Sequence, residues 1–155
     1  SKNFKSLCKV RLYHHDYGWC EKINIEQIFK IQTINPLENI LFSSRRARIL
    51  IFTYNSTGIL EFSAINTPFL VLLDFEIEPI NDSAINFFKE YIDVGIIHTN
   101  TKSLLNHLNL IYNDVDLWWF SEKVQKAVKN FSKNFSKFNS NIVNDICKTI
   151  NNLSN

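Results

Sequence analysis

Apolar residues recur along the chain in two rhythms, short continuous runs and longer stretches at helical spacing. Their alternation is the pattern of βα units wrapped around a parallel sheet. Cys8 to Tyr13 reads as a first strand, His14 to Cys20 as a loop, and Ile23, Ile25, Ile28 and Phe29 as one face of a short helix. Ile31 to Ile34 predicts a second strand. Pro36 is expected to open the next helix, where its missing N–H costs nothing, with Leu37, Ile40 and Leu41 turned inward and an end near Arg46. Ile49 to Thr53 is the clearest strand, an unbroken apolar run of the kind buried on both faces of a parallel sheet, and is expected to be central. The polar turn Tyr54 to Gly58 then feeds a largely buried helix carrying Ile59, Leu60, Phe62, Ala64 and Ile65. Thr67-Pro68 breaks that helix, and Phe69 to Leu73 forms another buried strand, parallel to the last through a right-handed crossover.

Asp82-Ser83 stands where an N-cap belongs, ahead of Ala84, Phe87, Phe88 and Tyr91, and Gly95 stands where a helix would end before a strand at Ile96-Ile97. Thr99 or Thr101 is expected to cap a helix carrying Leu104, Leu105, Leu108 and Ile111. Neither Gly nor Pro follows Gly95, so the remainder of the chain is expected to be almost wholly helical. Val124, Val128, Phe131, Phe135 and Phe138 make a single apolar seam there. Lys123, Lys126, Lys129, Lys133 and Lys137 fill the other face, as a solvated surface or as one facing an anionic membrane or acidic partner. The pattern predicts one α/β domain over residues 1–155. It has a Rossmann-like parallel sheet of about four to five strands flanked by helices over about 7–98, and an all-helical C-terminal third over about 101–153.

Composition narrows the class. Hydrophobic residues make up 45% of the 155 and charged residues 21%, enough apolar surface for a packed core and too little charge for a disordered chain. With 17 Lys+Arg against 15 Asp+Glu, the net charge of +2 is too small for phosphate neutralisation to dominate binding, so no nucleic-acid partner is expected. Cys8, Cys20 and Cys147 are odd in number and lack CxxC spacing, which argues against a disulfide framework or a zinc knuckle and for a reducing compartment. No apolar run approaches the roughly 20 residues of a membrane span, and no secretory leader is recognisable, so a cytoplasmic location is expected. Ser1 in place of Met raises the expectation of a fragment.

In open parallel sheets ligands bind beyond the carboxyl ends of the strands, and two such places are unusually polar. Arg11-Leu12-Tyr13-His14-His15-Asp16-Tyr17-Gly18-Trp19 concentrates a guanidinium, two imidazoles, a carboxylate and three aromatics after the first strand. Thr53-Tyr54-Asn55-Ser56-Thr57-Gly58 offers hydroxyls and free backbone N–H groups at a helix start, where orphan donors and the dipole both favour a phosphate. Glu61, one turn beyond Thr57, is placed to accept from a ribose diol. Set among apolar neighbours, it is also expected to point into a cleft or to pair with Arg11. Blander alternatives stand beside these: Ser56 or Thr57 simply caps the helix, and His14 and His15 are plain loop residues. Trp118 and Trp119 anchor the helical end to the sheet or stack on a sugar or base. The adjacent His14, His15 and Asp16 lack metal-ligand spacing, so no metal is expected. Asn55-Ser56-Thr57 matches a glycosylation sequon of the kind that Asn-rich sequence produces by chance. The cysteines read as small hydrophobes.

Four stretches together resemble the surface-carbohydrate (O-antigen type) transferases of bacteria, whose C-terminal halves look like the donor domain of a GT-B glycosyltransferase. Arg11 to Trp19 is similar to the family's RLYPHDYGW, and Thr53 to Thr57 with Glu61 and Asn66-Thr67-Pro68 resembles its TYN segment. Asp82-Ser83-Ala84 with Gly95-Ile96 resembles the next, and Ile111 to Trp119 followed by Ser121 to Gln125 resembles its tandem-Trp signature. The resemblance spans about Leu7 to Phe138. His14 departs from the family's Pro and Gly58 from a second Thr, and Leu73 to Asn81 lacks the family's aromatic and arginine positions.

The resemblance implies a donor-binding half for a nucleotide-activated sugar, with that nucleotide-sugar as substrate and no separate cofactor. It implies that Arg11 and His15 line the donor phosphates, that Asn55, Ser56 and Thr57 bind them at the helix start, and that Glu61 holds the ribose. Tyr13, Asp16 and Tyr54 are the further loop contacts it implies. Family members are several times longer, so an N-terminal acceptor domain is expected to be missing and the chain alone to bind without turnover. Its expected partner, besides the nucleotide-activated sugar, is an N-terminal-half chain or membrane-associated polysaccharide machinery at the inner face of the membrane. Two rivals share the architecture: a non-catalytic remnant serving as a binding or assembly subunit, and a nucleotide-sugar epimerase-like domain.

Overall fold

The computed structural model describes residues 4–15, 17–136 and 142–153. Asp16, Lys137 and Phe138 lie outside the described residues. The elements run β1 (Lys9–Arg11), α1 (Glu21–Ile23) continued by a π-helical turn (Asn24–Ile28), β2 (Gln32–Ile34), α2 (Ile40–Ser44), β3 (Leu50–Phe52), α3 (Thr57–Ala64) and β4 (Phe69–Leu72). They continue with α4 (Asp82–Asp93), β5 (Ile97–His98), α5 (Thr101–Ile111), α6 (Val115–Trp119), α7 (Glu122–Phe135) and α8 (Ile142–Leu153). The result is an α/β protein with small parallel sheets flanked by helices. Among the described residues no helix is long and apolar enough to cross a membrane.

All the strand pairs are parallel, but they fall into two sheets, β1-β2 and β3-β4-β5. The central strand of the larger sheet is β4, whose Phe69, Leu70 and Val71 are fully buried, and not the Ile49–Thr53 run. Alternation explains why. Phe69, Val71 and Leu73 face a core shared with Ile59, Phe62, Tyr91, Trp119 and Phe131, whereas Leu70 faces Leu104, Leu108 and Ile111 of α5. Ile51 lies on the α5 side, in register with Leu70, but α5 lies against β4 and β5, so Ile51 is left 43% exposed on an edge strand.

Local chemistry sets the element ends, and asparagine does more of it than expected. Pro36 lies in a turn and leaves Leu37 exposed; α2 starts only after Asn39, whose side chain accepts from Leu41 N–H at 2.9 Å. Asn81, not Asp82, caps α4 through Ser83 N–H at 3.0 Å, and Asn100, not a threonine, caps α5 through Ser103 N–H at 2.9 Å. Gly95 does follow α4, at φ +77°, where its lack of a Cβ leaves room for the His107 ring. Ile23, Ile28 and Phe29 are exposed rather than packed, and the three cysteines are exposed free thiols rather than core.

Asn66 gathers the densest set of side-chain hydrogen bonds between the sheet layer and the helical third. Asn66 adopts a left-handed conformation (φ 52°) in the turn between α3 and β4. Its Oδ1 accepts from Trp119 Nε1 at 2.9 Å and Gln125 Nε2 at 3.1 Å, and its Nδ2 donates to Gln125 Oε1 at 3.0 Å. Gln125 Nε2 also donates to the Trp119 carbonyl at 2.9 Å. Trp118 Nε1 donates to Val94 O at 3.2 Å, at the end of α4. Both tryptophans are therefore anchors. In α7, Val124, Ala127, Val128 and Phe131 are buried while Lys123, Lys126, Lys129 and Lys133 are exposed.

Asn66→Ala removes the lock and places a Cβ-bearing residue without a polar side chain at positive φ, an expected loss of about 2–4 kcal/mol. Asn66→Gly restores the backbone freedom but not the hydrogen bonds, so urea unfolding is expected to rank it between wild type and Asn66→Ala.

Candidate functional site

Two cavities are lined by the segments that leave the carboxyl ends of the three-stranded sheet. The first, about 340 Å³, lies between the start of α3, the β4–α4 connection and the far end of α7. Asn55, Ser56 and Thr57 supply its polar end, and Ile80, Phe88, Phe131 and Phe135 its apolar wall. Three of the six expected phosphate and ribose contacts thus come together. Ser56 is the N-cap residue by backbone, extended at φ −104° and ψ 158°, with its carbonyl accepting from Ile59 N–H at 3.1 Å. Its hydroxyl caps nothing: Oγ is shielded from water and has no hydrogen-bond partner. The Asn55 N–H donates to Glu78 Oε2 at 2.7 Å, so one donor of this loop already holds an anionic oxygen. Gly58 brings the α3 backbone close to β3, since a Cβ there would stand 2.6 Å from Phe52 Cε1.

The other expected residues lie outside that cavity. Arg11, at the carboxyl end of β1, is half-buried and donates from Nη2 to Pro36 O at 2.7 Å; its Nη1 is shielded and has no partner. Tyr13, His14, His15, Tyr17 and Trp19 are exposed, and Tyr13 stacks on Tyr17 with ring centroids 6.1 Å apart. His14 and His15 stand ring to ring at 4.5 Å. Tyr54 is exposed. Glu61 is exposed on α3, so it neither points into the cavity nor needs Arg11 to offset burial. Among the described residues no three His, Cys, Asp or Glu side chains converge as metal ligands.

The second cavity, about 510 Å³, follows β5 and has a mixed lining, with His98, Asn100, Lys102, Ser103, Asn106 and His107 on its walls beside the apolar Leu110. Sequence reasoning passed over it. The available signal was a histidine closing the apolar pair Ile96-Ile97, followed by Ser103 and His107 one helical turn apart. His98 is 6% exposed, and its ring lies 5.2 Å from that of His107, which meets Trp118 edge-on at 5.1 Å. Burial lowers the pKa of both imidazoles, and His107 is lowered further by His98.

Comparison with known proteins identifies one family: the model described as LIC12162 family transferase matches residues 1–150. No curated protein and no solved structure matches the chain.

Gly58→Ala is expected to push the Phe52 ring out of its aromatic cluster and cost about 1–3 kcal/mol, read as a lower urea midpoint at unchanged slope. The lowered imidazole pKa values set a pH dependence. Unfolded, each ring titrates near its ordinary 6.5, so their contribution is complete above that value and is lost as pH falls through it toward the folded values. Melting temperature is expected to fall between about pH 7.5 and about pH 5.5, with a shallower slope in His107→Gln. An identical slope in the variant removes His107 from the account.

Proposed function

The chain belongs to the LIC12162 family of transferases, and from that premise we propose that it is the donor-binding half of a glycosyl transfer, taking a nucleotide-activated sugar. The observation that carries the reading is a pair of shielded polar atoms without partners, Arg11 Nη1 and Ser56 Oγ, each at or just beyond the carboxyl end of a parallel strand. A buried donor with no acceptor is costly, and an anionic oxygen relieves such a cost at either. Glu78 supports the choice of ligand, because its carboxylate on Asn55 N–H takes the place a phosphate oxygen would take.

In this reading a diphosphate displaces Glu78 and is held by the backbone and hydroxyls of Asn55, Ser56 and Thr57, with Arg11 and His15 closing on it from the β1 loop. Glu61, exposed one turn beyond Thr57, accepts from the ribose diol. Tyr13, Asp16 and Tyr54 complete the loop contacts. An acceptor hydroxyl attacks the anomeric carbon, and the bond to the diphosphate breaks. The negative charge growing on that leaving group is stabilised by the guanidinium, by His15 and by the α3 terminus. No cofactor beyond the nucleotide-sugar is required by this scheme. The domain is of the GT-B C-terminal type, and the acceptor site is supplied by an N-terminal half, within a longer protein or as a separate chain. Surface polysaccharide of the O-antigen type is the product class, made by machinery at the inner face of the membrane.

One observation favours the non-catalytic reading, the same Glu78 contact, since a loop closed by its own carboxylate has less need of a ligand. Calorimetric titration with UDP, GDP, CDP and dTDP separates the two. The donor reading expects saturable heat with at least one, weakened roughly tenfold by Ser56→Ala or Arg11→Gln and strengthened by Glu78→Gln. No heat with any of the four at millimolar ligand leaves the binding or assembly subunit as the surviving reading.

A further inference from the structure

The cavity beyond β5 holds an arrangement that stability does not call for. Two imidazoles side by side, His98 buried and His107 half-buried, are poorer core than the leucines and isoleucine packed nearby. The place for His107 is reserved by Gly95, where any Cβ would stand 2.7 Å from the ring. The hydrogen bonds fix the protons. His98 Nε2 lies 3.0 Å from Gly95 O, a carbonyl that only accepts, so Nε2 carries the hydrogen. In the neutral ring Nδ1 is then the acceptor, and the Ser103 hydroxyl donates to it at 2.8 Å. Ser103 Oγ therefore lines the cavity with its proton committed and a lone pair to offer. Beside it, His107 Nε2 is shielded and has no partner. Asn100, Lys102 and Asn106 bring two carboxamides and one ammonium.

This array sorts ligands. An anion is met by the Lys102 ammonium and the carboxamide N–H groups but opposes the Ser103 oxygen lone pair to lone pair. An apolar body covers Leu110 but leaves the serine, carboxamide and ammonium groups unpaired. A ring bearing several hydroxyls donates to Ser103 and accepts from the carboxamides and the ammonium at once, and the volume of about 510 Å³ falls in the range of small-molecule sites. We propose that the cavity centred on His98, Ser103 and His107 is a binding site for a neutral sugar ring. The inference deepens the transfer reading and rests on it for the origin of the sugar, but its geometry is separate from the Ser56 loop.

The test titrates the full chain with neutral methyl glycosides of glucose, galactose and N-acetylglucosamine, and separately with inorganic phosphate, at about pH 7.5 where both imidazoles are neutral. Imidazole NMR signals of His98 and His107 are the readout. Saturable shifts with at least one glycoside are expected, with dissociation constants raised about fivefold in Ser103→Ala and in Asn106→Ala. Asn106 is exposed on α5, so its truncation leaves the core intact if Ser103→Ala does not fold. Silence with every glycoside, shifts with phosphate alone, or unchanged affinity in both variants overturns the proposal. Glycoside binding without nucleoside diphosphate heat would overturn the donor reading and leave this site standing; the reverse result would do the opposite.

Discussion

Every polar atom of the Asn66 side chain is committed to two residues of the helical third, and the geometry of the first cavity follows from that. The turn between α3 and β4 bends through a left-handed residue, and Trp119 and Gln125 close on its carboxamide. With Gln125 fixed near the start of α7, the helix runs across the open face of α3 and α4 and delivers Phe131 and Phe135 to the mouth of the Ser56 loop. Ser132 Oγ donates to Ser63 O at 3.0 Å, and Ser63 Oγ meets Tyr91 Oη at 2.9 Å, so the same packing ties α3, α4 and α7 together. Burial holds the Tyr91 phenol well above its ordinary pKa, which keeps it a neutral partner in that contact.

The stretches that resemble the carbohydrate transferases accordingly divide by physical role. Asn66, Trp118, Trp119 and Gln125 have their polar atoms engaged within the fold, and Asp114 caps α6 through Leu117 N–H at 3.1 Å. Those positions are explained by architecture. Arg11 and Ser56 are the reverse, each with a shielded polar atom that no neighbour engages. A motif residue whose side chain is fully engaged needs no ligand to account for it, whereas an orphaned polar atom calls for an explanation beyond the fold.

How much was legible from the sequence follows the range of the interaction concerned. Apolar period found all five strands and the α3, α4, α5 and α7 helices, because burial of one face is written locally. Helix starts slipped wherever several polar residues crowd a boundary. Near Asn81 and Asn100 more than one side chain could cap, and the asparagine took the place in each case. The order of the strands was not legible. An unbroken apolar run at Ile49–Thr53 states that both faces are apolar, not that both edges are paired, and Ile51 stays exposed because α5 stops short of it. The Asn55–Thr57 loop was visible as residue types in order, while its Glu78 contact joins segments that only the fold brings together.

The same limit explains why one serine was noticed and another was not. Ser56 and Ser103 stand at or near the starts of α3 and α5, helices that follow strands at the carboxyl end of one parallel sheet, and each lines a cavity there. Their chemistry differs through a single neighbour. Ser56 has no partner and its proton is free to go to an anion, in a setting where the helix dipole and backbone donors favour negative charge. Ser103 has His98, whose other nitrogen is pinned to the Gly95 carbonyl, so its proton points inward and only its lone pair faces a ligand. Two helix starts alike in backbone polarity thereby differ in the hydrogen-bonding their serines offer. That difference lies in hydrogen-bond direction, which residue identity alone does not specify.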